Sequence, residues 1–367
     1  MDDYAEGFSS MTNIHESTKE YEQWLGRYLH ILPGDLKLKH QAMASAVFPF
    51  FRATFYRWMQ RWPEVCADAH RAPKVLAVGD LHVENFGTWR DVEGRLVWGI
   101  NDFDEVATLP YTLDLVRLSA SAHLAIDDAH LKIDHQEACA SILEGYRNGL
   151  KAGGRPFVLA EEHIWLREMV HGVLRDPAHF WTKLDALKTL RTKIPETAEK
   201  ALNRLMPEEG LKYRVAHRIA GLGSLGRERF VAIADYRGAR VAREAKALAP
   251  SACVWAAKGK SDAILYQKIL DTSVRCIDPF VKLKKQWIVR RLAPDCSRVE
   301  LSQIPKEREE TRLLTAMGFE TANVHLGTPG AGKVIAKDLA KRPKNWLHQA
   351  AAAMGKAMKS DWDEWKG

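Results

Sequence analysis

The sequence predicts an α+β protein in which a mostly helical large lobe is joined to a small antiparallel β lobe placed late in the chain. Three observations carry this reading. Apolar residues recur at helical spacing over 17–31, 39–60 and 111–152. Two short apolar runs, Lys74–Val78 and Leu96–Ile100, each end in acidic and polar residues. From Tyr213 onward, period-two alternation brackets a glycine-rich stretch and reads as strand, loop, strand.

The bulk properties narrow the possibilities. With 367 residues the chain is long enough to bury one large core or two lobes. Its 46% hydrophobic and 28% charged content is ordinary for a globular protein. No run of eighteen apolar residues occurs, so no transmembrane helix is expected. The N-terminus, MDDYAEGFSS, lacks the apolar core of a secretory signal, and a cytoplasmic location follows as the expectation. Cys66, Cys139, Cys253, Cys276 and Cys296 are scattered without C-x-x-C spacing, which argues against a disulfide framework and against a zinc site. The charge of +7 favours phosphate-bearing partners. Because 54 basic residues face 47 acidic ones and are spread along the chain, a dedicated nucleic-acid surface is not expected.

Taken in order, residues 1–15 read as a loose tail. A helix over 17–31 carries Tyr21, Trp24, Leu25, Tyr28 and Leu29 and stops at Pro33-Gly34. The next, 39–60, presents Met43, Val47, Phe50, Phe51, Phe55 and Met59 as a core stripe. Arg52 interrupts that face, either as an ion-pair partner for the acidic loops or as a surface arginine. The runs 74–78 and 96–100 are expected to pair as a hairpin through the loop Trp89–Arg95. That pairing sets Gly79–Asn85 beside Asn101–Glu105 at one sheet edge, where carboxylates and an amide suit a hard cation such as Mg²⁺. Two helices follow over 111–152, with Asp114 in the first turn after Pro110. Gly153–Pro156 breaks the pattern. Residues 160–205 read as helical, with Lys183, Lys188, Arg191 and Lys193 on a solvated face.

The second informative stretch is Gly221-Leu222-Gly223-Ser224-Leu225-Gly226. A dinucleotide-binding G-x-G-x-x-G needs a helix after it; here strands follow, first Phe230–Ile233 and then, past Tyr236-Arg237-Gly238, a third strand carrying Arg243 and Lys246. Such a loop either covers phosphates or is an ordinary glycine-rich hairpin. A helix over 261–276, a strand Trp287–Leu292 and helices over 306–325 and 343–365 complete the chain. The loop Thr328–Gly332 lacks P-loop spacing before Lys333.

Gly79-Asp80-Leu81-His82 with Asn85, followed by Asn101-Asp102-Phe103-Asp104, resembles the catalytic and metal loops of protein-kinase-like phosphotransferases, nearest the aminoglycoside and choline kinase branch. Met43-Ala44-Ser45, Phe48-Pro49-Phe50-Phe51-Arg52, both loops and Asp114–Leu118 together resemble a bacterial family, domain of unknown function 2252, itself thought to be kinase-like. The likeness is strong over 39–121 and weak elsewhere. It implies a two-lobed, protein-kinase-like α+β fold, circularly permuted because the glycine-rich loop follows the catalytic loop by roughly 140 residues. The implied parts are a helical lobe with the catalytic and metal loops (1–206), a small β lobe with the glycine-rich loop (207–300), and helices returning to the helical lobe (301–367).

The implied activity is ATP- and Mg²⁺-dependent phosphoryl transfer to a hydroxyl of an unidentified small molecule or protein. On the resemblance, Asp80 takes the acceptor proton and Asn85 and Asp102 hold Mg²⁺. Asp104 either ligates a second metal or caps a turn. Gly221, Gly223, Ser224 and Gly226 bind the nucleotide, and Arg243 or Lys246 neutralises its phosphates; Arg243 stands where the family shows lysine, a change of shape at equal charge. Asp114 orients the catalytic loop through backbone N–H groups, and His82 packs it. The 261–276 helix has no glutamate to pair with the phosphate-binding cation, leaving Gln267, Asp262 or Asp271. Two alternatives stay open on the same fold: a binding protein without catalysis, and AMP transfer with the nucleotide reversed. A two-metal phosphoesterase is disfavoured, since the histidine pairs it needs do not occur. Fold resemblance alone does not name the acceptor.

Overall fold

The computed structural model describes residues 12–160, 162–171, 176–296 and 309–367. Most of the expected tail lies outside this set, as do residues 306–308 at the start of an expected helix. Among the described residues ten strands form three antiparallel sheets: β1 (Lys74–Ala77) with β4 (Ala107–Pro110); β2 (Phe86–Arg90), β3 (Leu96–Ile100) and β5 (Phe157–Val158); and β6 (Arg214–His217), β7 (Arg229–Tyr236), β8 (Ala239–Ala247), β9 (Lys282–Lys284) and β10 (Trp287–Leu292).

The helical body forms around the helix Tyr111–Asp127, whose residues are buried on every side as far as Ala125. It is covered by Trp346–Lys366, which also docks on Phe55–Val65 through Asp361; that carboxylate takes Arg57 at 2.9 Å and Arg61 as well. Helix His135–Ala152 opens on the Asp134 side chain, which accepts the N–H groups of Gln136 and Glu137, and ends at Gly153 in the left-handed region. It crosses Glu310–His325 at two glycines. A Cβ on Gly145 would fall 1.8 Å from the Thr315 carbonyl oxygen, and one on Gly318 would fall 2.0 Å from that of Ile142. Only hydrogen fits there.

Several boundaries differ from the sequence reading. The stripe over 39–60 is carried by three helices, Pro33–Ser45, Val47–Ala53 and Phe55–Val65. Pro33 begins the first instead of stopping its predecessor, because proline's missing N–H costs nothing in a first turn. The 160–205 region is divided into Ile164–His171, Pro177–Asp185 and Glu196–Asn203, and the 261–276 helix shrinks to Tyr266–Thr272. Ala331–Leu339 is an additional helix.

The expected hairpin between 74–78 and 96–100 does not form. β1 pairs with β4, Lys74 opposite Pro110 and Ala77 opposite Ala107, while β3 pairs with β2, Phe86 opposite Ile100 and Arg90 opposite Leu96. The residues just after the first acidic loop, Phe86–Arg90, are themselves a strand, and the turn around Gly94 (φ +74°) returns the chain onto them. Both acidic loops still reach one place, because the backbone bonds from Asn101 N–H to the Asn85 carbonyl at 2.8 Å join them.

The five-stranded sheet runs β6-β7-β8-β10-β9. β7 and β8 turn at Arg237 and Gly238, both with positive φ, the type I′ geometry that matches strand twist. Among the described residues no helix is long and apolar enough to cross a membrane.

Candidate active site

A cleft of about 400 Å³ lies between the sheet β6–β10 and the helical body. The loop Gly79–Asn85 forms its floor. Asp114, three residues before Arg117 on one helix face, is buried beneath that floor. Its carboxylate accepts the N–H groups of Val78 at 2.7 Å and Gly79 at 2.9 Å, and His325 Nε2 lies 2.9 Å from it, with Tyr146 bonded to the other ring nitrogen at 2.8 Å. Asp114 therefore shapes the loop without reaching the cleft. Ser121, a further turn along, accepts the Val83 N–H.

Arg117, fully buried among the Phe51, Phe55 and Trp58 rings, donates to Asp80 Oδ1 from Nε at 2.8 Å and from Nη2 at 2.5 Å. Asp80 still reaches the cleft. Burial raises its carboxyl above the usual aspartate range, against the opposing pull of Arg117. His82 Nδ1 accepts the Glu84 N–H, a packing role within the loop. Arg52 pairs with Glu84 at 2.6 Å, so it joins the acidic loop as an ion-pair partner.

Asn85 is 4% exposed and bonded throughout: Nδ2 donates to the carbonyls of Asp80 and Asp102, and Oδ1 accepts the Asp102 N–H at 2.9 Å. It braces one acidic loop against the other. Asp102 has a 46% exposed side chain. Surrounding protein works to raise its carboxyl, but Lys246 and Arg290 outweigh this and hold it far below the usual range. Asp104 is driven the other way, by burial and then by the charge of Asp102. Glu105, sealed in by Ser251 and the Ala252 N–H with Arg227 at 3.3 Å, is pushed by burial up to about 7.

Across the cleft, β8 decides between the two candidate cations. Side chains alternate along a strand, so Glu244 and Lys246 share one face and Arg243 takes the other. Lys246 Nζ lies 2.6 Å from both oxygens of Asp104 and 3.2 Å from Asp102. Arg243 instead bonds the Leu205 carbonyl at 2.8 Å and stacks on Phe280, outside the cleft lining. Of the two alternatives, strand parity turns Lys246 into the cleft and Arg243 away from it. Neither Gln267, which bonds Asp271 and the Leu283 N–H, nor Asp271 reaches Lys246; its partners come from the acidic loop.

The glycine-rich loop folds over the floor. A Cβ on Gly223 would meet the Arg52 carbonyl oxygen at 3.1 Å and Asp80 Oδ2 at 3.7 Å. Ser224 Oγ accepts from Arg229 at 2.6 Å. Gly221, Gly223 and Ser224 line the cleft; Gly226, with φ +94°, instead packs on Leu36 and gives its carbonyl to the Leu32 N–H.

Two contributors carry no sequence signal. Lys39, between Leu38 and His40, is 4% exposed, lines the cleft, and has its ammonium pushed by burial down to about 8. Arg227 binds Glu105 beneath the loop. Arg218, Arg229 and Arg290 complete a cationic wall. The Glu244 carboxylate neutralises part of that wall; despite its burial, Arg229 and Arg218 pull it down to about 2.

Asp102 and Asp104 supply hard oxygen donors, and Asp102 faces the cleft ionised. This fits Mg²⁺, which takes one or two carboxylates and draws its remaining ligands from phosphates and water. The Asn85 oxygen is already engaged, so Asp102 is the principal candidate ligand.

Residues 31–161 match the model of a family described as an uncharacterized protein conserved in bacteria, DUF2252. No curated protein and no solved structure matches the chain.

Proposed function

We propose that the protein is an ATP- and Mg²⁺-dependent phosphotransferase with a kinase-like division of labour between two permuted lobes. The observation that carries this reading is the meeting, in one cleft, of Asp80, Asp102 and Lys246 beneath a loop whose glycine approaches Asp80. They come from three separate segments of the chain, and their side chains are of the kinds such chemistry needs.

Asp80 accepts the proton of an acceptor hydroxyl; its raised proton affinity, still tempered by Arg117, suits a base. Asp102 stays ionised and would hold Mg²⁺, which neutralises charge on the transferred phosphoryl group. Lys246, displaced from its carboxylates, meets phosphate oxygens. The loop over Gly221–Ser224 excludes water and offers backbone N–H groups.

The test is incubation with Mg²⁺ and ATP labelled separately at the γ- and α-phosphates, beside an Asp102→Ala control. Transfer of γ label, lost in the control, supports the kinase reading. Transfer of α label alone moves the reading to AMP transfer. The bonds already spent by Asn85 and Asp80 favour the non-catalytic alternative, which predicts ATP binding without transfer over a broad panel of acceptors. Absence of ATP binding sinks the proposal.

A further inference from the structure

Away from the cleft, the far end of the Tyr111–Asp127 helix carries a cluster that the candidate active site does not use. His123, Cys139 and His348 each offer a ligand atom within 4.8 Å of the others, the one such group of three or more His, Cys, Asp or Glu side chains among the described residues. We propose that this cluster is a binding site for a borderline-soft divalent cation of the Zn²⁺ type, which ties three helices together.

The geometry points this way on several counts. His123 Nε2 lies 3.2 Å from Cys139 Sγ. A tetrahedral zinc ion bound by one nitrogen and one sulfur at its ordinary bond lengths holds them about 3.5 Å apart, so the pair needs only a few tenths of an ångström to receive it. His123 and Cys139 are 5% and 3% exposed, and His348 is partly exposed, which leaves a way in for an ion. His348 Nδ1 is buried without a hydrogen-bond partner, an orphan that a ligand would resolve. The wall beyond is also rich in donors. His135 stacks on His123 at 4.3 Å and pairs with Asp127 at 3.0 Å; its carbonyl lies 3.2 Å from His123 Nε2, so ligation through that nitrogen places the ring proton on Nδ1.

The donor chemistry is selective. Two imidazoles and a thiolate suit Zn²⁺ and exclude Mg²⁺, which demands oxygen. Cys139 would bind as the thiolate, its proton leaving to solvent as the metal–sulfur bond forms. Three protein ligands leave a fourth position for water.

The ligands come from Tyr111–Asp127, His135–Ala152 and Trp346–Lys366. A bound ion would therefore clamp the last helix of the chain to the helix whose opposite end, through Asp114 and Arg117, supports the cleft floor. The clamp is independent of the phosphotransferase reading.

The experiment is titration of the full chain with Co²⁺ in excess Mg²⁺, followed by optical spectroscopy, together with thermal unfolding with and without Zn²⁺. The expected result is one equivalent bound with intense visible bands of a tetrahedral ion and a thiolate-to-cobalt charge-transfer band. Cys139→Ser should abolish the charge-transfer band, and His348→Ala should weaken binding at least about tenfold. Zn²⁺ should raise the unfolding temperature of the unsubstituted protein and leave both variants nearly unchanged. His348 is the safer substitution because it is partly exposed. A Co²⁺ complex without the thiolate band overturns the proposal. So does a band that survives Cys139→Ser, which would place the ion on another cysteine such as Cys296 in the cleft. Equal Zn²⁺ stabilisation of the folded variants would also overturn it.

Discussion

The two acidic loops of the cleft end in similar residues but are held in opposite ways. Gly79–Asn85 is fixed from behind by the helical body: Asp114 takes its backbone, Ser121 takes Val83, and Arg117 takes Asp80. Asn101–Glu105 is braced by Asn85 and held by charge from Lys246 of β8 and from Arg227, which follows the glycine-rich loop. The first loop is thus part of a folded core, whereas the second is a charged seam between the two halves. Damage to the support of the first should cost folding. Damage to the second should cost ligand binding and transfer while the protein stays folded.

The largest expected effect tests the seam. Asp102→Asn should lower transfer by about 10³-fold, the scale of losing one positioned electrostatic group, with little change in the denaturation midpoint. Single-turnover kinetics beside urea unfolding would read both. A large stability loss with retained transfer would erase the distinction between the loops.

Removing the support of the floor comes next. Asp114→Ala strands the Val78 and Gly79 N–H groups and the His325 ring, all buried, and should cost about 3 kcal/mol in urea unfolding. If its midpoint matched that of the unsubstituted protein, the loop would be rigid for some other reason.

A third prediction concerns the rear support of the seam. Glu320 accepts the Ile100 N–H at 3.2 Å behind β3, and burial raises it to about 7 from an ordinary 4.5. Between those values the folded state keeps a proton that the unfolded chain releases. Stability from this group is therefore lost as pH rises through the window, by roughly 1–3 kcal/mol. Glu320→Gln should flatten that decline. An unchanged stability–pH profile would show that Glu320 titrates normally.

The smallest effect sharpens the parity argument on β8. Arg243→Met should change transfer by less than about tenfold, whereas Lys246→Met should remove most of it. Comparable losses at both positions would contradict the alternation.

Much of the cleft was legible because local chemistry dictated it. Carboxylates that follow short apolar runs cluster at strand ends whichever strands pair, so Asp80, Asn85 and Asp102 still meet although the expected hairpin is replaced by the β1–β4 and β2–β3 pairings. Phe86–Arg90 was missed as a strand because it follows the acidic motif directly and is buried over four consecutive residues instead of alternating. The glycine-rich loop, its flanking strands and the turn at Gly238 were readable for the same local reason: backbone freedom and period-two alternation are properties of neighbours in the chain.

What the sequence by itself determined is the chemical inventory and its local geometry, since φ/ψ preference, capping and side-chain period act over a few residues. Lys39, Arg227 and the pairing of Lys246 with Asp104 were decided only by tertiary structure. So was the cluster of His123, Cys139 and His348, where scattered cysteines had argued against zinc. Those contacts join residues as much as 225 positions apart (123 to 348), and their energy comes from excluding water around groups that no local rule brings together.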